Sequence, residues 1–484
     1  MGVLAGIEPM KVFEYFESIA GIPHGSGNVE AISNYLAEFA GRRGLECIQD
    51  EVKNIIIIKE ATPGYEQEPA LILQGHMDMV AVHKPGLAID MTRDSLKLAV
   101  DGDRIYAEGT SLGGDDGIAV AYALALLDDD TLRHPRLEVV ITVDEEVGMD
   151  GARAIDLSML QGHRLLNLDS EEEGIFLTSC AGGARINCLV DLSDKCRELS
   201  GTAYELTVEG LQGGHSGAEI HKERGNSNLL MARLLQKLAG SVKIGLCGCE
   251  GGLADNAIPR VTTARIVVAR EEEERLTQLA AAFEAALKGE LATKDPEVSV
   301  TAVSRGAVTA NCLTGSDLQR AVNYLYSLPC GVQAMSADVQ GLVETSLNLG
   351  ILKVDGGRVS AEFSVRSCVE SSKQALLDKV RALTALAGGR CEITGDYPGW
   401  AYRVDSPLRD KMIALYEDMY GERPRVEAIH AGLECGILAS KITDLDGISF
   451  GPNMYDIHTT EETLSISSTQ RVWDYLVRLL ALKD

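Results

Sequence analysis

The sequence lacks an apolar run long enough to cross a membrane and lacks the features of a secretion signal. No segment of its 484 residues approaches the ~20 uninterrupted apolar residues that a membrane-spanning helix needs. The start of the chain, Met1 to Met10, is apolar but short, and it has neither a basic segment nor a cleavage site. We therefore expect a cytoplasmic protein with no membrane role.

Positive charge is also scarce. The chain has 45 lysines and arginines against 72 aspartates and glutamates, which gives a formal net charge of −27. A surface this acidic repels the phosphates of nucleic acids and of anionic lipids, so we expect no nucleic-acid partner. It tolerates cationic ligands, and metal ions are among them.

Cysteine is present but not at the spacing of a thiolate metal site. The 11 cysteines are an odd number, scattered from Cys47 to Cys435, and no two of them form a Cys-x-x-Cys pair. A chain of this length builds a hydrophobic core without disulfides. We expect reduced cysteines, as in cytoplasmic proteins, and no structural zinc held by thiolates.

Helices and short apolar strands alternate in the first part of the chain. Helical spacing occurs at Met10–Ile19, Asn28–Arg43 and Gly117–Leu127, and strand-like runs occur at Asn54–Lys59, Ala70–Gln74, Leu137–Val143 and Arg164–Leu168. This alternation favours an α/β architecture, in which a mixed central sheet is covered by helices.

The pattern changes in the middle of the chain and returns near its end. After Gly182 come strands with polar alternation and long helices such as Glu271–Lys288, and from about Gly395 the first pattern resumes. We predict an α/β domain formed by residues 1–184 and 395–484, interrupted by an inserted α+β domain at 185–394.

Histidines and carboxylates follow the predicted strands of the first domain. They lie in Gly75-His76-Met77-Asp78, in Gly113-Gly114-Asp115-Asp116-Gly117, in Asp144-Glu145-Glu146, in Leu168-Asp169 and, late in the chain, at His458. In open α/β sheets ligands bind at the carboxyl ends of the strands. Any one of these residues alone could be structural or solvated, and the joint pattern is what predicts one pocket.

These residue types suit metal ions. Neutral imidazoles and carboxylates without thiolates are ligands of zinc, and manganese or cobalt can use the same set. Two ions that share one bridging carboxylate would use five such groups. Asp78 lies two residues after His76, where it can accept the spare ring N–H. Of the adjacent Glu145 and Glu146, one can bind metal while the other acts as a general base.

This series of motifs resembles that of the co-catalytic dizinc peptidases, the group that includes carnosinases, bacterial dipeptidases, tripeptide aminopeptidases and deacylases. The resemblance covers nearly the whole chain. It implies that the inserted domain is a lid and dimerisation domain, that the protein is a homodimer, and that the peptide bond between Asp115 and Asp116 is cis.

The resemblance also assigns the metal ligands. It implies that His76 and Asp169 bind one zinc, that Glu146 and His458 bind the other, and that Asp115 bridges the two. Glu145 would be the general base, and Asp78 would orient His76. A hydroxide that bridges the two zinc ions would then attack the carbonyl of a dipeptide, and the C-terminal residue of that dipeptide can be histidine.

Three residues of the inserted domain, and Gly432 in the last part of the chain, are candidates for substrate contacts. By the resemblance, His215 in the motif Gly214-His215-Ser216-Gly217 polarises the scissile carbonyl, and Asn256 and Arg366 hold the carboxylate of the substrate. Gly432 can offer backbone contacts. Arg366 could equally pair with a surface carboxylate, and Asn256 could cap a turn.

Several alternatives remain open from the sequence alone. A deacylase of N-acyl amino acids or a tripeptide aminopeptidase would use the same dizinc site, and a peptide-binding protein could carry it without catalysis. The sequence does not decide whether His215 serves its own site or that of a partner subunit.

Overall fold

Twelve α-helices form in residues 2–483, the part of the chain that this computed structural model describes. They are α1 (Met10–Ala20), α2 (Glu30–Arg43), α3 (Gly114–Asp128), α4 (Glu145–Gly148), α5 (Asp150–Ala154), α6 (Ser227–Ala239), α7 (Glu273–Glu290), α8 (Gly315–Ser327), α9 (Glu370–Leu386), α10 (Pro407–Tyr420), α11 (Glu434–Lys441) and α12 (Ile466–Ala481).

The strands of the same residues number 23. The first eleven are β1 (Glu46–Gln49), β2 (Ile55–Lys59), β3 (Leu71–His76), β4 (Leu98–Asp101), β5 (Arg104–Ala107), β6 (Leu137–Thr142), β7 (Arg164–Asn167), β8 (Ile175–Cys180), β9 (Gly182–Asp191), β10 (Arg197–Glu209) and β11 (Gly214–His215). The others are β12 (Ile244–Gly251), β13 (Ala257–Ile258), β14 (Thr262–Val268), β15 (Ser299–Cys312), β16 (Gly331–Met335), β17 (Val343–Asp355), β18 (Arg358–Ser367), β19 (Arg390–Tyr397), β20 (Arg425–Ile429), β21 (Asp446–Ser449), β22 (Met454–Tyr455) and β23 (Thr463–Ser465).

The chain divides into two compact units. Unit 1 consists of Met1–Ser179, Tyr402–Ala428 and Leu433–Asp484, and unit 2 consists of Cys180–Ala401 and Ile429–Gly432. The terminal residues of the predicted domains, Met1 and Asp484, lie outside the described residues. The sequence predicts the inserted domain at 185–394. It does not predict that the short segment Ile429–Gly432 belongs to unit 2.

Unit 1 contains an eight-stranded mixed sheet in the order β1-β2-β6-β3-β7-β21-β8-β20. Strands β6, β3, β7 and β21 run parallel to one another, while the pairs β1-β2, β2-β6 and β21-β8 are antiparallel. The central strands are apolar and buried, and α3, which is rich in alanine and leucine, is buried along nearly its whole length. The predicted α/β class and mixed sheet are confirmed.

A small sheet of unit 1, in the order β22-β23-β5-β4, carries the late histidine. Its strands β22 and β23 are an antiparallel pair, and His458 lies in the loop that joins them. Its backbone there has a φ of 60°, in the left-handed region. The imidazole of His458 is therefore carried by a loop residue and not by a residue of a helix or strand.

Unit 2 contains a nine-stranded sheet whose main path is β15-β10-β14-β12-β17-β18-β9-β19. The pairs along this path are antiparallel. Helices α6 to α9 contribute apolar side chains to one hydrophobic core with the sheet. A separate two-stranded ribbon, β11 with β13, carries His215. The prediction of an α+β fold for the inserted region agrees with this arrangement.

One pair of cysteines departs from the sequence prediction. A disulfide joins Cys247 and Cys312, where we expected reduced cysteines only. Cys247 lies at a register shift in β12, and Cys312 ends β15; the neighbouring Leu246 and Leu313 form a β-bridge that brings the two sulfurs together. None of the described helices combines the length and the apolar character required to cross a bilayer.

Candidate metal site

Three parallel strands of unit 1 end beside one another and carry candidate ligands. Strand β3 ends at His76, β7 is followed by Asp169, and β6 leads into α4, which begins at Glu145 and Glu146. The register pairs His76 with Thr142 at the end of β6, so the carboxyl ends of these strands lie at the same edge of the sheet. The predicted convergence of these side chains follows from this register.

Asp115 lies between the two histidines. Its Oδ1 is 3.1 Å from Nε2 of His76, and its Oδ2 is 3.1 Å from Nε2 of His458. The same His76 nitrogen is 3.5 Å from Oδ1 of Asp169, and the same His458 nitrogen is 2.9 Å from Oε1 of Glu146. The five predicted ligands therefore form one continuous cluster with Asp115 at its centre.

The peptide bond between Asp115 and Asp116 is cis, as the resemblance implies. Both residues depart from helical φ and ψ at the start of α3. The Oδ2 atom of Asp116 accepts a hydrogen bond from the backbone N–H of His76 at 3.2 Å. A Cβ at position 75 would lie 2.5 Å from that oxygen, so Gly75 is what allows the close approach.

Asp78 lies near His76 with both its backbone carbonyl and its carboxylate, whereas the sequence predicts a contact with the carboxylate alone. The Nδ1 atom of His76 lies 2.9 Å from the backbone carbonyl of Asp78 and 3.4 Å from its carboxylate Oδ1. That carboxylate also accepts from the Ser26 hydroxyl at 2.8 Å and from the backbone N–H of Glu145 at 3.1 Å. Asp78 thus links the orientation of His76 to the start of α4.

The pKa values of Glu145, Asp169 and His458 in this cluster are raised, because carboxyl groups are buried together and outnumber the histidines. Burial raises the pKa of Glu145 to about 8, and the charges of Asp169 and Glu146 add to the rise. Burial likewise raises the pKa of Asp169 to about 7. Hydrogen bonds to Asp115 and Glu146 raise the pKa of His458 to about 10. Without a cation, protons on the histidines and on the carboxyl groups offset the surplus negative charge.

The donor set fits metal ions. Three groups have ligand atoms that all lie within 4.8 Å of one another, namely His76 with Asp116 and Asp169, His76 with Glu145 and Glu146, and Asp115 with Glu146 and His458. Imidazole nitrogens and carboxylate oxygens are the ligands of zinc and of related divalent ions. A metal ion replaces the protons that hold such a cluster together, so the residues present fit divalent metal ions.

Two buried carboxylates near the site are not among the predicted residues. Glu462, which is 3% exposed, accepts hydrogen bonds from the backbone N–H groups of Leu112, Gly113 and Gly114, just before Asp115. Glu434 is fully buried and accepts from Gln74 and Thr142. Glu462 lies in a polar, acidic run that resembles a surface loop, so no signal in the sequence reveals its role.

In unit 2, His215 and Asn256 are neighbours. His215 pairs with Ala257 in the β11–β13 ribbon, and the backbone N–H of Ser216 donates to the carbonyl of Asn256 at 2.8 Å. The Nδ1 atom of His215 accepts from the N–H groups of Gly217 and Ala218 at 3.2 and 3.1 Å. Since Nδ1 is an acceptor, the ring proton lies on Nε2, which can donate to a ligand.

Arg366 and Gly432 belong to the same unit. A Cβ at Gly217 would lie 3.0 Å from Cε1 of His215 and 3.2 Å from Nε of Arg366, so these two side chains meet at Gly217. Burial lowers the pKa of His215, and the charge of Arg366 lowers it further. Gly432 lies against the ring of Tyr397. The structure therefore brings His215, Asn256 and Arg366 into one region of unit 2.

Comparison with known proteins identifies the family. The sequence profile of peptidase family M20/M25/M40 matches residues 72–482. The chain is 35% identical over 480 residues to the cytosol non-specific dipeptidase of Escherichia coli strain K12, and the match covers 99% of each chain. The structure of the aminoacylhistidine dipeptidase from Vibrio alginolyticus matches with a TM-score of 0.94 and 34% identity, covering 99% of this chain and 98% of that one. Aminopeptidase PepT from Bacillus cereus shares the fold with a TM-score of 0.57 and 15% identity, over 98% of both chains.

The chain belongs to peptidase family M20/M25/M40. It is an enzyme, a metallopeptidase that acts on small peptides. The predicted family and reaction class are confirmed.

Proposed function

We propose that this metallopeptidase hydrolyses the peptide bond of dipeptides, including those that end in histidine, at a site that holds two zinc ions. The geometry of Asp115 carries the proposal, because each of its two oxygens lies 3.1 Å from the Nε2 atom of a different histidine. A carboxylate in that position can bridge two ions. The two most similar proteins described above are named as dipeptidases, and one of them as an aminoacylhistidine dipeptidase.

Each ion would have its own ligands. His76 and Asp169 would hold one, Glu146 and His458 the other, and Asp115 would bind both. Two bound ions would polarise the substrate carbonyl and lower the pKa of water, the chemistry that co-catalytic sites supply. Manganese or cobalt could take the place of zinc in such a set.

Glu145 and Asp78 would act on protons and orientation. We assign Glu145 as the general base that accepts a proton from the attacking water and returns it to the leaving amine. Its neighbour Glu146 faces His458, which leaves Glu145 as the carboxylate for this task. Asp78 would fix the tautomer of His76, since it offers Nδ1 both a carbonyl and a carboxylate oxygen.

Unit 2 would supply the substrate contacts. His215 carries its ring proton on Nε2 and would donate it to the oxygen of the scissile carbonyl. Arg366 and Asn256 would hold the free carboxylate of the dipeptide, with backbone contacts from Gly432. A site that grips this carboxylate next to the scissile bond selects short peptides.

The assembly and location that we propose are a homodimer through unit 2, acting as its lid and dimerisation domain, in the cytoplasm. Strand β15 supports the dimer, because it lies at the edge of its sheet and several of its central residues are exposed. An edge strand of this length can pair with a second copy.

Hydrolysis of Ala-His by the purified chain, stripped of metal and then reloaded with zinc, tests the proposal. N-acetyl-Ala-His and the tripeptide Ala-Ala-His are assayed beside it. We expect zinc-dependent release of histidine from the free dipeptide alone. Cleavage of only the acetylated peptide would make the enzyme a deacylase, and cleavage of only the tripeptide would make it a tripeptide aminopeptidase.

Glu145→Gln separates catalysis from metal binding. We expect kcat to fall by roughly 10²- to 10⁴-fold, the usual contribution of a general base, while both metals stay bound. Metal content by mass spectrometry and turnover of Ala-His are the measurements. Glu172→Gln, a surface carboxylate of the same unit, is the matched control. Near-normal turnover of Glu145→Gln with both metals in place would refute the assignment.

A further inference from the structure

Four residues lie in one row across the sheet of unit 2. The register pairs Ser346 on β17 with Arg366 on β18, Arg366 with Gly183 on β9, and Gly183 with Tyr397 on β19. Residues directly opposite each other on adjacent strands present their side chains on the same face of a sheet. Arg366 and Tyr397 therefore share a face, separated by a strand that has no side chain at this position.

The missing side chain lets Tyr397 reach Arg366. A Cβ at Gly183 would lie 2.6 Å from the Tyr397 hydroxyl oxygen, so the tyrosine ring occupies the space above that glycine. Across it, Nη1 of Arg366 donates a hydrogen bond to the Tyr397 oxygen at 3.3 Å. This contact spans two strand spacings, and any larger residue at 183 would block it.

Tyr397 is itself held firmly. Lys373, whose side chain is 1% exposed, donates to the Tyr397 carbonyl at 2.7 Å and to the Asp396 carboxylate at 2.6 Å. On another side, a Cβ at Gly432 would lie 3.0 Å from Cε2 of the ring. A buried lysine that anchors the backbone and a glycine that closes on the ring leave the hydroxyl little freedom.

Arg366 has a charge that this cluster does not neutralise. Its Nε is buried and has no hydrogen-bond partner among the described residues. The nearby His430 contacts this row, since its Nε2 is 2.7 Å from the Ser346 hydroxyl. Burial lowers the pKa of His430 to about 3, and the charge of Arg366 adds to that effect, so this histidine is neutral. A guanidinium among neutral groups is a site for an anion.

We propose that Tyr397 is the positioning residue that holds Arg366 in the orientation in which it binds the free carboxylate of the substrate. The inference rests on the proposed dipeptidase function, because that function supplies the carboxylate. Guanidinium–carboxylate pairing depends on the angle of the planar group, and a fixed acceptor on one nitrogen sets that angle. Tyr397 thereby contributes to the selection of substrates with a free C-terminus.

Tyr397→Phe removes the acceptor and keeps the ring. We expect KM for Ala-His to rise by roughly three- to tenfold, the usual range for loss of one hydrogen bond, with kcat little changed. Hydrolysis of Ala-His amide, which has no carboxylate, should be unaffected. Gly183→Ala leaves Tyr397 and Arg366 unsubstituted, but its methyl group displaces the Tyr397 hydroxyl. This variant should therefore reproduce the effect.

Tyr204→Phe is the matched control. Its hydroxyl contacts Glu273 at 3.0 Å elsewhere in unit 2, so its loss should change neither substrate. An equal loss on Ala-His and on the amide in Tyr397→Phe would show a merely structural role and overturn the inference. Unchanged kinetics in both Tyr397→Phe and Gly183→Ala would overturn it as well, while the dipeptidase function stood.

Direct binding separates the inference from the proposed function. Histidine and histidinamide are titrated into the metal-loaded wild-type chain and into Tyr397→Phe by calorimetry. We expect histidine to bind the wild type more tightly than histidinamide does, and this preference to fall in the variant. If that result came with no hydrolysis of any dipeptide, the proposed function would fail and the role of Tyr397 would hold. A wild type without preference for the carboxylate would overturn the inference.

Discussion

The two units each contain an unbalanced cluster of charge, and the two clusters have opposite signs. In unit 1, Asp115, Glu146 and Asp169 crowd around His76 and His458, and the carboxylates outnumber the bases. In unit 2, the guanidinium of Arg366 lies beside histidines whose pKa values are lowered by burial and then by Arg366 itself. We expect cations to bind at the first cluster, and we propose an anion, the substrate carboxylate, at the second.

The difference shows how burial turns charge into specificity. Isolated charges are costly away from water, so a cluster with a surplus of one sign favours a ligand of the other sign. In unit 1 this surplus raises the pKa values of carboxyl groups, and protons hold the places that metal ions can take. In unit 2 the histidines stay neutral, so the positive charge is concentrated on Arg366.

Asp115→Ala should break the acidic cluster most severely. Its carboxylate faces both histidines, so its loss removes the shared ligand of the two proposed ions. We expect metal content to fall below the wild-type value and activity to fall by more than about 100-fold. Substitution of residues that only support metal ligands costs up to about 100-fold, and loss of a proposed ligand should cost more. Asp101→Ala, an exposed aspartate of unit 1, should keep both. Full metal content in Asp115→Ala would contradict the bridging role.

His430→Asn tests the neutral histidine of unit 2 through its pH dependence. The pKa of His430 is lowered from 6.5 to about 3 in the folded chain, because burial and Arg366 disfavour the charged ring. Its stabilising contribution is present above pH 6.5 and is lost as the pH falls from 6.5 toward 3. Between pH 8 and pH 5 this group should cost the wild type about 2 kcal/mol of unfolding free energy that the variant does not lose.

Urea unfolding of both metal-free proteins at pH 8 and at pH 5 measures this difference. His83→Asn, an exposed histidine, should keep the pH dependence of the wild type. If His430→Asn lost as much stability on acidification as the wild type, the pKa of this histidine would not be lowered in the folded chain. The contrast between the two clusters would then weaken.

Glu434→Gln should have the smallest effect of these substitutions. It tests whether Glu434 adds a negative charge to the cluster of unit 1. Burial raises the pKa of Glu434 to about 8, and Glu145 adds to the rise, so the carboxyl is mostly neutral at pH 7. Glutamine has the same shape and can accept from Gln74 and Thr142, so we expect a loss of less than about 1 kcal/mol. Glu434→Ala removes the acceptor that Gln74 and Thr142 share, leaves them only longer hydrogen bonds, and should cost about 1–3 kcal/mol. Equal losses in the two variants, measured by thermal unfolding at pH 7, would indicate an ionised Glu434.

The sequence predicted the regular elements best where composition was decisive. The run at Gly117–Leu127 predicted a helix, and α3 extends from Gly114 to Asp128 because the alanines and leucines favour a buried helix. Strand β12 was missed, since its glycines and cysteines carry no β signal. Strand β15 runs through polar residues as far as Cys312, because pairing with β10 satisfies its backbone groups.

The residues of the candidate site were likewise predictable only in part. The proposed metal ligands of unit 1 could be found because they lie in short motifs that follow strands or open a helix. Tyr397 and Glu462 could not be found. Tyr397 reaches Arg366 only through the register of three strands, and Glu462 accepts from backbone N–H groups about 350 residues away along the chain.

The sequence by itself determined which chemical groups this protein places at its strand ends, because residue type and local periodicity are written along the chain. It thereby determined the family, the metal-ligand types and the order of the two kinds of fold. Only the tertiary structure decided which of these groups meet. The place of Asp115 between two histidines and the reach of Tyr397 across Gly183 depend on register between distant segments. No local pattern encodes that register, since it is set by the packing of the whole sheet.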